Sequence, residues 1–402
     1  MESSPRSKSF SSAVAALLLL LFAPQIGAAA EETKTKIIPL PIYATLPNEG
    51  DTFGAMPVFL QVEKETQRTR RIVAPSLSWN RNIGSTGTFR LFDYPVKEES
   101  YTFVASASTK VNWGLLFLWN RIPQEKGLWT DELYVRGQRS IFFRFFGIGP
   151  DTPDSSETSH TRVRGHFAYR RGLNLLPHFN LGAQLEAERE IIQAIGVTGL
   201  PLSREVFPDT PGMGGANVLG QSIDLRYDTR QNAEFSESGY YADFKSGVFE
   251  ASGDYPAYLR HQFEAKALIP EFDRVQAGVR LYWRYVTSPG VPFQYQSSLG
   301  GAFLMRGFTE DRFTDQGAWT LELEQRIRFF QTHIYGVTAD WRIDPFASIG
   351  QVYGQDGGVF SRLRATGGIG LRAWARPNVL GRVDIASAGR GLLFYVELGY
   401  PF

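Results

Sequence analysis

The chain has 402 residues, 42 basic side chains against 41 acidic ones, and no cysteine. So even a balance argues against a nucleic-acid partner gripped through its phosphates, and the missing cysteine excludes a disulfide framework and thiolate metal sites. Aromatic residues make up 14% of the chain and glycine fills 40 positions, a mixture that suits strands, tight turns and interfaces better than helices.

The first segment reads as an export signal. Arg6 and Lys8 precede an apolar run from Ala13 to Ala23, and Ala28 with Ala30 forms a small-residue cleavage pair. Residues 1–30 are therefore expected to be a signal peptide, because the run is too short to cross a bilayer as a helix. Residues 31–52 are proline-rich with little periodicity and are expected to be a short periplasmic lead-in. No later apolar run is long enough for a membrane helix, so the rest, 53–402, is either soluble and exported or crosses a membrane by strands.

From there the dominant signal has a period of two. In "GQSIDLRYDTR", Ile223, Leu225 and Tyr227 fall on one face, with Asp224, Arg226 and Asp228 on the other. In "VQAGVRLYWRYVT", Val275, Val279, Leu281, Trp283 and Tyr285 share a face opposite Gln276, Arg280 and Arg284. In "WTLELEQRIRF", Leu321 and Leu323 oppose Glu322, Glu324 and Arg326. Such strands run to roughly ten residues, the length of a membrane-crossing strand rather than of an average soluble one. Periodicity alone fits a soluble sandwich and an inverted barrel equally.

Three features favour the barrel. Aromatics gather near strand ends, as at Phe142 to Phe146, Trp113, Trp119 and Trp374, where headgroup girdles form. Long Gly/Pro/Ser/Asp loops alternate with short turns such as "PEFDR". "LLFYVELGYPF" places Leu398, Tyr400 and Phe402 on one face of a closing strand, the pattern of an outer-membrane assembly signal. The expectation is an all-β, antiparallel transmembrane barrel of about sixteen strands.

"SSLGGAFLMRGFTEDRF" interrupts the alternation. Its "LGGAFLMRGF" resembles the signature of the BamA/TamA-type outer-membrane barrels, the bacterial surface antigen family. "FFGIGPDT", "DLRYDTRQNAEFSESGYY", "LELEQR", "PFASIGQVY", "GGIGLRAWARP" and "ELGYPF" resemble further blocks of that family in the same order. The resemblance covers most of residues 145–402. It implies that the sixth extracellular loop folds into the lumen and that its Arg306-Gly307-Phe308 motif anchors it to acidic wall residues. An arginine in an enclosed lumen needs carboxylate partners suited to its planar fork. Glu324 is the first choice and Glu322 the second. Ser348 stands where the family carries an aspartate, which leaves Glu324 to hold the contact alone. The assembly members carry periplasmic POTRA domains ahead of the barrel, and residues 31–52 offer no room for one.

Chemistry of other kinds is not visible. There is no Gly-x-Ser-x-Gly elbow, no His-Glu-x-x-His and no phosphate-binding loop. The five histidines are scattered, and His160 and His166 do not suggest a metal site. A lipolytic site on a barrel wall would need a serine, a histidine and an orienting polar group on the outer face. His261 lies on the apolar face of its strand, but the sequence shows no paired serine. No enzyme, cofactor or metal is expected. The reading is an outer-membrane barrel of the Gram-negative envelope that aids insertion or transport of outer-membrane proteins or lipids. The alternative is a structural or channel barrel with a plugged lumen and no client. The expected partners are the outer-membrane bilayer, the assembly machinery acting on the last strand, and a separate periplasmic protein.

Overall fold

A computed structural model describes residues 33–66, 68–123, 127–230, 236–334, 337–354, 357–375, 379–398 and 400–402. The expected signal peptide lies outside these. The strands are β1 (Thr33–Leu46), β2 (Gly50–Glu63), β3 (Thr69–Val73), β4 (Ser76–Asn80), β5 (Gly84–Val96), β6 (Glu99–Ser108), β7 (Trp113–Arg121), β8 (Trp129–Phe145), β9 (Thr158–Leu176), β10 (Phe179–Gln193) and β11 (Gly215–Asp228). Then come β12 (Gly239–Ala251), β13 (Tyr258–Phe272), β14 (Val275–Val286), β15 (Ser297–Leu299), β16 (Phe313–Asp315), β17 (Gly317–Ile334), β18 (Val337–Tyr353), β19 (Arg364–Ala375), β20 (Val379–Ser387) and β21 (Leu393–Leu398). All but β15 and β16 join one 19-stranded sheet of antiparallel neighbours. β15 and β16 form a small hairpin inside the long connection between β14 and β17.

The faces are inverted relative to a soluble core. Leu219 is 68% exposed and Ile223 is 64% exposed on the outside, while Asp224 on the alternate face is 2% exposed. Arg170, Glu186 and Glu188 are likewise buried on the inner face. Apolar side chains outside and paired charges inside are the arrangement of a membrane barrel, in which every backbone group is satisfied between strands. No helix among the described residues is long and apolar enough to cross a membrane.

Four expectations need correction. Within the expected lead-in of 31–52, residues 33–52 belong to the sheet instead: β1 starts at Thr33 and pairs in unbroken register with β2, so the expected boundary at 53 falls inside β2. Prolines hid this strand. Pro39 and Pro41 sit on the first strand, where a missing N–H can face away from the ladder, and Pro39 lies opposite Pro57. β3 and β4 both pair with β2 and β5, so they are one crossing, broken between Val73 and Ser76. Counting them once leaves eighteen crossings among the described residues, against the sixteen or so expected. The Arg306 loop is accordingly the seventh connection on its side, not the sixth. Finally, Phe142, Phe145, Phe146 and Trp374 are buried rather than girdling the outside. A register irregularity between Ser140 and Phe143 turns the end of β8 inward, where Phe145 packs on Phe207 and Phe293.

Candidate functional site

The connection from β14 to β17 folds into the lumen. Leu299, Met305 and Phe313 pack with Ala318 and Val352 of the wall, with Leu304 and Phe308 against them. Of the "FLM" run, Leu304 and Met305 thus join a small apolar core between loop and wall, while Phe303 stays 47% exposed. Met305 is fully buried with φ of 52°, a strained position for a non-glycine residue held by its surroundings. Its N–H donates to Glu322 Oε1 at 2.9 Å.

Arg306 follows with no exposed surface. Its Nη2 donates to Glu324 Oε2 at 2.9 Å and its Nη1 to Asp384 Oδ2 at 3.1 Å. The guanidinium also lies over the Phe346 ring, 3.5 Å from the centroid. Gly307 has φ of 117°, and a Cβ there would come within 3.0 Å of the Ser387 carbonyl carbon, so only glycine fits. Its N–H donates to the Tyr395 hydroxyl at 2.9 Å, and that hydroxyl donates to the Phe308 carbonyl at 2.7 Å. Phe308 then packs edge-on against Phe313 at 5.0 Å.

The first expected partner, Glu324, is placed on Arg306; the second, Glu322, is not. Glu322 holds the loop backbone through Met305 and pairs with Arg280 at 3.3 Å, and Ser348 donates to it at 3.3 Å. Glu324 does not act alone, because Asp384 on β20 supplies the second carboxylate. Asp384 could have been suspected from "GRVDIAS", where it alternates with Val383 and Ile385, but nothing local says that it faces residue 306. Arg372 joins Asp384 at 2.6 Å, Asp344 at 3.1 Å and Glu324 at 3.5 Å, and Arg326 meets Glu324 at 2.9 Å. Arg382 adds Asp384 at 3.1 Å and the Ala302 carbonyl at 2.9 Å. Each buried charge therefore has opposite charges around it, as a lumen network requires.

The end of the chain departs from expectation. β21 stops at Leu398, whose side chain lies outside the described residues, and Tyr400 and Phe402 do not continue its outer face. They turn into the lumen because donors await them there. Arg326 lies 3.8 Å from the Tyr400 ring centroid and donates to the Phe402 carbonyl at 2.9 Å. Arg342 donates to the Tyr400 hydroxyl at 3.2 Å, and Arg280 to the Pro401 carbonyl at 3.3 Å.

β1 and β21 lie side by side, yet among the described residues no hydrogen-bonded ladder joins them. The N–H groups that Pro39 and Pro41 lack are missing from the edge that would face β21. The seam is packed at its long-loop end. There Leu46 and Leu393 pack around Tyr395, Phe346 and Ala302. Asn48 in the β1–β2 turn donates to the Glu310 carbonyl at 3.5 Å and accepts from Arg144 at 2.7 Å through its own carbonyl. Glu49 in that turn and Glu310 in the inserted loop face an internal cavity of about 580 Å³. Enclosure, then Glu397, pushes the Glu49 carboxyl up to about 7. Enclosure, then Asp311, Glu49 and Glu397, pushes Glu310 up to about 8.

Of the histidines, His166 stands 3.4 Å from Glu186 near Glu188, but Arg260 and Arg164 already pair with those carboxylates. His160 is buried against Ser203, Nδ1 to Oγ at 2.9 Å. His261 does have a serine beside it: Ser246 Oγ is 3.0 Å from its Nδ1, a pairing made by strand register alone.

Residues 216–390 match the Omp85 superfamily domain. No curated protein sequence matches the chain. Among solved structures, BamA from Haemophilus ducreyi lacking POTRA domains 1–3 aligns with a TM-score of 0.55 at 14% identity, covering 100% of this chain and 80% of that one. CdiB from Acinetobacter baumannii aligns with a TM-score of 0.46 at 9% identity, covering 93% of this chain and 60% of that one. Residues 216–390 are thus an Omp85 superfamily domain, and the chain as a whole shares the barrel fold of BamA.

Proposed function

We propose that this barrel stands in the outer membrane of a Gram-negative envelope and aids the insertion or transport of outer-membrane proteins or lipids through its β1–β21 seam. One observation carries the reading: among the described residues β1 and β21 adjoin without a ladder, in a sheet that is otherwise paired strand to strand. An unpaired strand edge is a template for another strand. Arg306, Gly307 and Phe308 act as the lumen anchor. With Glu324 and Asp384 they brace the wall beside the seam so that local opening does not collapse the barrel. The inserted loop and the packed lumen disfavour a simple channel. Leu398, Tyr400 and Phe402 serve as a signal for the assembly machinery before Tyr400 and Phe402 turn inward, and a separate periplasmic protein delivers the client.

The absence of native cysteine makes the test clean. Leu46→Cys with Leu393→Cys, two positions in one packed cluster, would lock the seam by a disulfide. Proteoliposomes bearing the locked barrel should fold an added, urea-unfolded outer-membrane protein no faster than empty vesicles, and reductant should restore the rate. Equal folding rates with the seam locked and unlocked would reject the reading.

A further inference from the structure

Among the polar contacts that the lumen network and the seam do not use is a pair on the outside of the barrel. Ser246 on β12 and His261 on β13 are register partners on the outward face and hydrogen-bond at 3.0 Å. Their strand neighbours on that face, Phe244, Val248 and Leu259, are exposed apolar side chains. Polar groups are costly on a lipid-facing wall, and those that are kept there mark a function.

Proton bookkeeping shows what the pair lacks. If the serine hydroxyl donates to Nδ1, the imidazole carries its proton on Nε2 and that N–H points elsewhere. If Nδ1–H donates to the serine oxygen, the hydroxyl proton is the free one. Either tautomer leaves a donor without an acceptor, since neither side chain makes a further hydrogen bond among the described residues.

Height on the wall identifies the acceptor. His261 stacks on Trp283 with ring centroids 6.5 Å apart, Trp283 on Tyr285 at 6.5 Å and Tyr285 on Tyr353 at 6.1 Å, all close to parallel. Tyr353 reaches this stack across Gly317, its hydroxyl accepting from Trp283 Nε1 at 2.7 Å. Tyr353 ends β18, Tyr285 stands one residue before the end of β14, and Trp283 and His261 lie three residues inside their strands, all on the long-loop side. Such a band marks the headgroup level of a bilayer, just above the acyl-ester carbonyls. Beside the pair, Leu185, Ile223, Val248 and Leu259 line an open groove of about 550 Å³ that also contains Ser246.

We infer that Ser246, His261 and this groove form a seat for one ester-linked phospholipid: the pair donates to an ester carbonyl and an acyl chain lies in the groove. This rests on the membrane placement proposed above. The pair is a binding element rather than a hydrolytic one, because no carboxylate or amide hydrogen-bonds the imidazole to orient it among the described residues.

The test uses the full-length barrel, refolded in detergent and titrated with a diacyl phosphatidylethanolamine or its dialkyl ether analogue, with bound lipid counted by native mass spectrometry. The ether keeps headgroup and chains but lacks the carbonyl. One hydrogen bond predicts about a fivefold preference for the ester lipid. Ser246→Ala combined with His261→Phe should abolish the preference while the barrel keeps its heat-resistant mobility on semi-native gels. Equal binding of ester and ether lipid, or a preference that survives in the double variant, overturns the seat. Release of lysolipid by the unmodified barrel also overturns it in favour of a hydrolase. A barrel that does not partition into vesicles at all refutes the membrane placement itself, whereas one that partitions without preferring the ester refutes only the seat.

Discussion

Replacing Arg306 by alanine is the most informative single change. The substitution removes hydrogen bonds to Glu324 and Asp384 and the contact over Phe346, all buried. Breaking a buried pair by removing one partner costs about 3–5 kcal/mol. Here the lower end applies, because Glu324 keeps Arg326 and Arg372, and Asp384 keeps Arg372 and Arg382. A loss of about 3 kcal/mol in loop docking corresponds to roughly a hundredfold more undocked loop. Hydrogen exchange reads that population directly, since the Met305 and Gly307 amides donate to Glu322 and Tyr395 only while the loop is docked. Both amides should exchange about a hundredfold faster in the variant, with strands β9 to β13 unchanged. Unchanged protection at Met305 and Gly307 would show that the loop is held by its apolar core and that the arginine is not an anchor.

Other changes follow from the same geometry. Glu324→Gln and Asp384→Asn should each speed the same amides, and either combined with Arg306→Ala should be less than additive by about 0.5–3 kcal/mol in chemical unfolding of the vesicle-embedded barrel. Gly307→Ala should lower heat resistance on semi-native gels, because a strained φ costs about 1–3 kcal/mol and the new methyl meets the Ser387 backbone. Ser348→Asp should destabilise the barrel rather than strengthen it, since the new carboxylate would face Glu322 where the serine hydroxyl now donates; a raised unfolding midpoint would contradict this. Glu49 and Glu310 have carboxyls raised to about 7 and about 8, so the folded contact between the β1–β2 turn and the inserted loop favours their protonated forms. Their contribution is retained below the ordinary carboxylate range and is lost as pH rises towards 7 to 8. Protease resistance of the β1–β2 turn should therefore fall as pH rises through that window, and Glu49→Gln with Glu310→Gln should flatten the profile.

The parts legible in the sequence are those fixed by local period. Alternation in "GQSIDLRYDTR" and "WTLELEQRIRF" yields the strands and the inverted faces, and it puts Glu324 on the inner side just after the loop. Register between distant strands is not local, so alternation cannot reveal it. Asp384 meets Arg306 across 78 residues. Ser246 meets His261 because of how β12 and β13 pair, and a slip of one residue between them would put the two on opposite faces. β1 is masked because Pro39 and Pro41 read as breakers, although a first strand with a free edge tolerates both. Tyr400 and Phe402 keep the sequence period of Phe394, Val396 and Leu398; what turns them inward is Arg326 and Arg342, supplied by other strands.

The seam remains the central claim, and its width in lipid is the most direct measure of it. Spin labels at Tyr43→Cys on β1 and Phe394→Cys on β21, both exposed positions, report the separation by pulsed electron resonance in vesicles. Two distance populations are expected, one with the strands adjoining and one with them parted. They should collapse to the shorter one when Leu46→Cys and Leu393→Cys, joined by a disulfide before labelling, close the gap. A single narrow distance, the same with and without that disulfide, would contradict the seam.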